Sequence, residues 1–177
     1  RDNLDLRFGS GMGVLGISHQ YFFTSNTRIN TVVAVSYSKA TAKADSAYLN
    51  APALNYYGDE SSETKYSFSS RLSHKMNAKN ILSTGFIAEL YQLFYSDSVL
   101  LPDYSYRKIT DVKGENSLLF QAFAQFQHKF TDELLVYTGL HYQLYSLNNS
   151  QSIEPRASLK WSPKPKHSFN TGIGLHS

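Results

Sequence analysis

The chain has 177 residues, with 17 Lys and Arg against 14 Asp and Glu, no Cys, and 13 Tyr and 11 Phe beside one Trp. A net charge of +3 with no basic cluster argues against a nucleic-acid partner, and the lack of cysteine excludes disulfides and thiol catalysis. Mean hydropathy is −0.36, and no run approaches the ~20 apolar residues that a membrane-spanning helix needs.

Eight runs read as strands: 13–24, 28–40, 65–76, 81–96, 116–130, 134–147, 153–161 and 167–176. Period-two alternation carries that reading. In 28–37, Ile29, Thr31, Val33, Val35 and Tyr37 share one face, opposed by Arg28, Asn30, Val32, Ala34 and Ser36. In 65–74, Tyr66, Phe68, Ser70 and Leu72 oppose Lys65, Ser67, Ser69, Arg71 and Ser73. In 117–130, Leu118, Phe120, Ala122, Ala124, Phe126 and Phe130 oppose Ser117, Gln121, Gln125, Gln127 and Lys129, with Leu119 and Phe123 breaking the polar face. In 153–161, Ile153, Pro155, Ala157, Leu159 and Trp161 oppose Glu154, Arg156, Ser158 and Lys160. Strands of soluble domains run to ~5–6 residues, whereas several runs here are about twice that and long enough to cross a bilayer at a tilt.

The connections alternate in length. Residues 25–27, 77–80, 131–133 and 162–166 form tight turns; 41–64 and 97–115 read as long polar loops, and 148–152 is of middling length. Asn77-Ala-Lys-Asn80 has the small polar residues of a hairpin turn. Ser162-Pro-Lys-Pro-Lys166 cannot continue a ladder, since each proline lacks a donor. Pro155 falls inside a strand and is expected near a strand end or bulge. Tyr21, Phe22, Phe23, Phe126, Phe130 and Trp161 lie towards the short turns, and Tyr37, Phe94, Tyr95, Tyr142 and Tyr145 towards the long loops. Two such belts, with short turns at one end and long loops at the other, are the pattern of an outer-membrane β-barrel. The fold class expected is all-β: an antiparallel up-and-down meander of about eight long strands, part of a larger transmembrane β-barrel. Both chain ends count out to the long-loop side, so residues 1–177 read as a partial barrel from the middle of a larger one. No plug domain or signal peptide is visible.

Chemistry-bearing motifs are few. Gly11-Met-Gly13-Val-Leu-Gly16 matches a dinucleotide fingerprint in letters, but strand alternation follows where a helix should open. The six histidines (19, 74, 128, 141, 167 and 176) have no metal-ligand spacing, and no nucleophile elbow occurs. No cofactor and no enzymatic activity are expected. Glu89 and Glu154, the in-strand acids, read as lumen-facing groups partnered by Arg71, Arg156 or Lys160. Tyr48, Tyr56 and Tyr57 in one long loop, and Tyr104, Tyr106 and Arg107 in the other, are the candidate ligand-binding residues at a mouth, where exposed tyrosines beside polar groups suit sugar, peptide or chelate capture.

Two segments, Gly9-Ser-Gly-Met-Gly-Val-Leu-Gly-Ile-Ser-His19 and Ser152-Ile-Glu-Pro-Arg-Ala-Ser-Leu-Lys-Trp161, resemble barrel strands of TonB-dependent outer-membrane receptors. The closest likeness is to the Bacteroidota type with a carboxypeptidase-regulatory-like domain ahead of its plug. With the hairpin rhythm between them, the resemblance spans most of the chain, as part of the family's barrel. It implies a plugged barrel of about 22 strands in the bacterial outer membrane, importing a nutrient (siderophore or metal chelate, glycan or peptide) with energy delivered by the TonB complex. The implied partners are the lipid bilayer, the rest of the barrel with its plug, the TonB complex reached through that plug, and the nutrient. Two other architectures fit the strand pattern: a complete eight-stranded small barrel with a structural or adhesive role, and a soluble β-sandwich binding module.

Overall fold

The computed structural model describes residues 4–46 and 54–176. Eight strands follow one another: β1 (Leu4–Thr24), β2 (Thr27–Ser46), β3 (Leu54–Lys75), β4 (Asn80–Leu100), β5 (Tyr106–Lys129), β6 (Leu134–Tyr145), β7 (Ser150–Lys164) and β8 (His167–Gly174). They form a single antiparallel up-and-down sheet in chain order, with β1 and β8 at its two edges. No helix occurs among the described residues. The all-β meander expected from the alternation is therefore the observed fold.

Packing divides the chain into two units. One comprises residues 4–15, 35–46, 54–66 and 90–117; the other comprises 16–34, 67–89 and 118–176. The first holds the β2–β3 and β4–β5 hairpins, and the second holds the four short turns.

The first unit corrects the expectation of long loops. β2 continues to Ser46 and β3 already begins at Leu54; β4 runs to Leu100 and β5 starts at Tyr106. The described residues of 41–64, and those of 97–115, are thus largely strand. Alternation does not show there because apolar residues such as Val99, Leu100, Ile109 and Val112 keep to no single face, yet ladder pairing does not require an apolar face. Lys39 Nζ reaches Glu60 Oε1 at 2.5 Å from β2 to β3, and the Thr110 amide donates to Asp97 Oδ1 at 2.5 Å.

In the second unit, short side chains close the turns. Asn77 Oδ1 accepts from the amides of Lys79 and Asn80, both at 2.9 Å. Thr131 Oγ1 accepts from those of Glu133 and Leu134 at 3.2 and 3.1 Å. Asn148 Oδ1 accepts from Ser150 at 3.1 Å, beside Asn149 in the left-handed region at φ 53°.

Register defines two faces, because directly paired residues point the same way. Across β5, β6 and β7, Gln121, Gln143 and Ser152 align, then Phe123, His141 and Glu154, then Gln125, Gly139 and Arg156. The intervening rows are Ala122, Tyr142 and Ile153; Ala124, Leu140 and Pro155; Phe126, Thr138 and Ala157; and His128, Val136 and Leu159. One face is polar and the other apolar. Phe68, Phe86 and Phe120 carry the apolar face through β3, β4 and β5, with ring centroids 5.5 and 6.2 Å apart. β1 departs from the rule: Phe22 and Val14 fall on the side opposite Tyr21, Leu15 and Ile17, so both of its faces are apolar.

Two anomalies in the sequence find their reasons here. Phe123, which breaks the polar run of β5, lies over Gly85; a Cβ there would meet the ring at 2.9 Å and the Ser70 carbonyl at 2.4 Å. Pro155 sits within β7, not at an end or bulge as expected. Its carbonyl accepts from the Leu175 amide at 3.1 Å, so its missing donor faces the β8 side, where β8 has just ended at Gly174.

β7 also overruns its expected end. It continues through Pro163 to Lys164, with a bulge between Trp161 and Lys164, leaving Pro165 and Lys166 as the turn. The fingerprint-like glycines lie in uninterrupted β1: a Cβ on Gly16 would crowd Ala34 at 3.3 Å, whereas Gly11 and Gly13 face open space.

Gly85→Val is expected to destabilise the folded protein by about 1–3 kcal/mol, the usual cost of overpacking, while Gly11→Ala leaves it unchanged. A urea titration followed by gel mobility of the folded form measures both.

Candidate functional site

The one buried side chain of β7 is an acid. Glu154 is 5% exposed, while Ile153 beside it is 65% exposed. On the apolar face Leu140, Leu159, Phe169 and Ile173 are exposed, and Ala44 is the one buried hydrophobic residue among the described residues. A soluble domain buries such side chains in a core. Here the carboxylate is covered and the isoleucine is open.

Glu154 organises the polar face. Its Oε2 accepts from Arg156 Nη2 at 2.5 Å, and Ser152 Oγ donates to Oε1 at 3.4 Å. His141 Nδ1 lies 3.3 Å away and His176 Nδ1 3.5 Å away. The buried His141 nitrogen is near its carboxylate but outside hydrogen-bond geometry. Glu89, also on a polar face, accepts from Ser67 Oγ at 3.4 Å. Of the partners expected for these acids, Arg156 is in place. Arg71 shares the face of Ser67 and is exposed, and Lys160 shares the face of Arg156, paired with Leu135 and Asn170. His141 escaped the sequence reading although the register places it directly opposite Glu154; measuring both positions from the intervening turn would have matched them.

A hollow of 490 Å³ opens on this face over Gly139, lined by Phe123, Gln125, Tyr137, His141, Arg156 and Ser158 among others. Among the described residues no group of three or more His, Asp or Glu is arranged to hold a metal ion.

The first unit holds the candidate mouth. A groove of 610 Å³ there is lined by Lys43, Tyr95, Tyr106, Lys108, Asp111 and Lys113 among others. Tyr106 hydroxyl donates to the Asn55 carbonyl at 3.1 Å. Asp111 bridges Lys108 and Lys113 at 3.2 and 3.1 Å, and these ammonium groups hold its carboxyl below the usual carboxylate range. Tyr57 lies beside Tyr95; desolvation first, and then that neighbour, push its phenol above the ordinary value.

Tyr104 stands at the hairpin tip, 73% exposed and in the left-handed region at φ 61°, a conformation costly for a ring-bearing residue. Asp103 supports it by accepting from the Ser105 amide and hydroxyl at 3.0 and 2.6 Å, bonds that lower its carboxyl pKa. Of the predicted mouth residues, Tyr106 lines the groove, Tyr57 abuts Tyr95, and Tyr56 and Tyr104 are exposed. Arg107 alternates to the face opposite Tyr106 and Lys108. Tyr48 lies outside the described residues.

The aromatic belts need one correction. Tyr21, Phe23, Phe126, Phe130, Trp161 and Phe169 share the apolar face near the turns, with Trp161 and Phe169 5.8 Å apart and Tyr21 and Phe23 5.0 Å apart. Tyr142 belongs to the same face, but Tyr145 pairs with Leu119 on the polar side. By the same alternation Tyr95 opposes Phe94, and Phe22 opposes Tyr21. Nearness to a turn did not reveal which face each ring takes.

No model of a known family and no curated protein sequence matches this chain.

A double-mutant cycle on Glu154→Ala and Arg156→Ala should give a coupling of about 1–2 kcal/mol, below that of a fully buried pair because Arg156 is half-exposed. Urea unfolding of the four proteins measures it.

Proposed function

We propose that this chain forms part of the wall of an outer-membrane β-barrel, with its apolar face on lipid and its polar face on a water-filled or plugged lumen. The observation that carries the reading is the contrast around Glu154: the carboxylate is buried and His141 opposite it part-buried, while Ile153, Leu159 and, on β8, Ile173 lie open on the apolar face. In hydrocarbon every backbone polar group must be paired, and a continuous ladder does this. The stretch from Leu134 to Tyr142 is about 26 Å long at ~3.3 Å per residue. That suits a tilted strand crossing the bilayer, which takes ~9–11 residues.

The exposed edges β1 and β8 support a wall completed by further strands, since an unpaired edge in lipid is costly. Together with the two segments that resemble TonB-dependent receptors, this favours a barrel segment of an energy-coupled nutrient importer, not an enzyme. The tyrosine-bearing hairpins at the groove of Tyr95 and Tyr106 would meet the nutrient first: a metal chelate, glycan or peptide. The plug and the TonB complex would be its working partners.

Two measurements test this. In the membrane-embedded product of the complete gene, β1 and β8 amides should resist hydrogen exchange as strongly as those of β6; rapid exchange along β1 would contradict a completed wall. Cells making the protein should accumulate a radiolabelled ferric chelate, oligosaccharide or peptide, and a protonophore should abolish that uptake. Accumulation insensitive to the protonophore, or none with any of these probes, would contradict the importer.

A further inference from the structure

The bulge in β7 changes which way one lysine points. Without it, Lys164 would share the polar face with Lys160 and Ser162. The register instead pairs Trp161 with Phe169 and, past the bulge, Lys164 with His167. His167 alternates onto the same face as Phe169, so Lys164 joins the apolar face just beyond the Trp161–Phe169 pair. Ser162 keeps to the other face, where its hydroxyl donates to Ser168 Oγ at 3.4 Å. Pro163 and Pro165 flank Lys164, and Lys166 completes the turn; both lysines are exposed.

We propose that this hairpin end is a binding site for the phosphodiester headgroups of anionic phospholipids in the leaflet facing the short turns. The inference rests on the membrane-wall reading above and adds headgroup selectivity to it. Charge complementarity and continuity with the aromatic row argue for this occupant. Trp and Tyr rings settle at headgroup level. Lys164 follows them within about 7 Å along the strand at ~3.3 Å per residue, and its flexible stem can carry the ammonium out to a phosphate. The adjoining β5–β6 turn is in contact, since the Ser162 amide donates to the Glu133 carbonyl at 2.8 Å. Its Asp132 is already paired with Lys129 at 2.6 Å. Glu133 is the other acid of that turn, and Lys164 and Lys166 outnumber it.

Trp161, the chain's only tryptophan, reports on this site directly. The intact gene product is reconstituted in vesicles containing dibrominated phosphatidylglycerol in phosphatidylcholine, or the reverse. The quenching of Trp161 is taken as the difference from the Trp161→Phe variant. Bromophosphatidylglycerol is expected to occupy the site about threefold or more over bromophosphatidylcholine. That preference should fall to near one in the Lys164→Gln/Lys166→Gln variant and in about 1 M salt, where the Debye length is ~3 Å, and should rise in Glu133→Gln. Equal quenching by the two lipids, or a preference unchanged by the double substitution, overturns the headgroup site while leaving the lipid-facing wall intact. Quenching by neither lipid overturns both.

Discussion

Two-residue alternation locked to register is the constraint on which this structure depends. A strand alone alternates its side chains, but only pairing decides that the polar set of one strand meets the polar set of the next. A slip of one residue between β6 and β7 would set Glu154 and Arg156 among Leu140 and Phe126, and Ile153 among the glutamines. Arg156 and Ser152 bond the Glu154 carboxylate from within β7 itself; the contact of this cluster that the β6–β7 register sets is His141, 3.3 Å from Glu154 across the pair. On the other face the Trp161–Phe169 contact crosses from β7 to β8 and depends on the register of that pair in the same way.

Where alternation fades, pairing persists. β2 to β5 are 20 to 24 residues long, well beyond the ~9–11 needed to cross a bilayer. Their polar extensions are held by ladder bonds, ion pairs such as Lys39–Glu60, and a tight turn built on Asp103 and Ser105. In the first unit these hairpins carry Tyr106 to the groove that Lys43, Tyr95 and Lys113 also line.

Strand existence was legible in the sequence wherever one face was apolar. Ile153 through Trp161 and Ile29 through Tyr37 gave themselves away by period two. The extension of β2 past Ala40 and of β5 back to Tyr106 was not, because polar residues such as those of 97–115 read alike in a loop or in a hairpin. The face of each ring was equally hidden: Phe22, Tyr95 and Tyr145 sit near turns as expected, yet point to the polar side. Pro155 was legible as an anomaly but not in its resolution, which depends on β8 ending one residue short of it. For the candidate site, the Glu154–Arg156 pair could be anticipated from a charged face, whereas His141 required the register.

The claim at the centre is that the two faces of β6 and β7 meet different solvents. Because the chain has no native cysteine, spin labels can be placed singly along β7 in the membrane-embedded protein, and their relaxation by oxygen and by a water-soluble nickel chelate compared. Positions 153, 157 and 159 are expected to be reached by oxygen and shielded from nickel, while 152, 158 and 160 show the reverse, a two-residue oscillation of opposite phase for the two reagents. Equal access of the nickel chelate to both sets would contradict it.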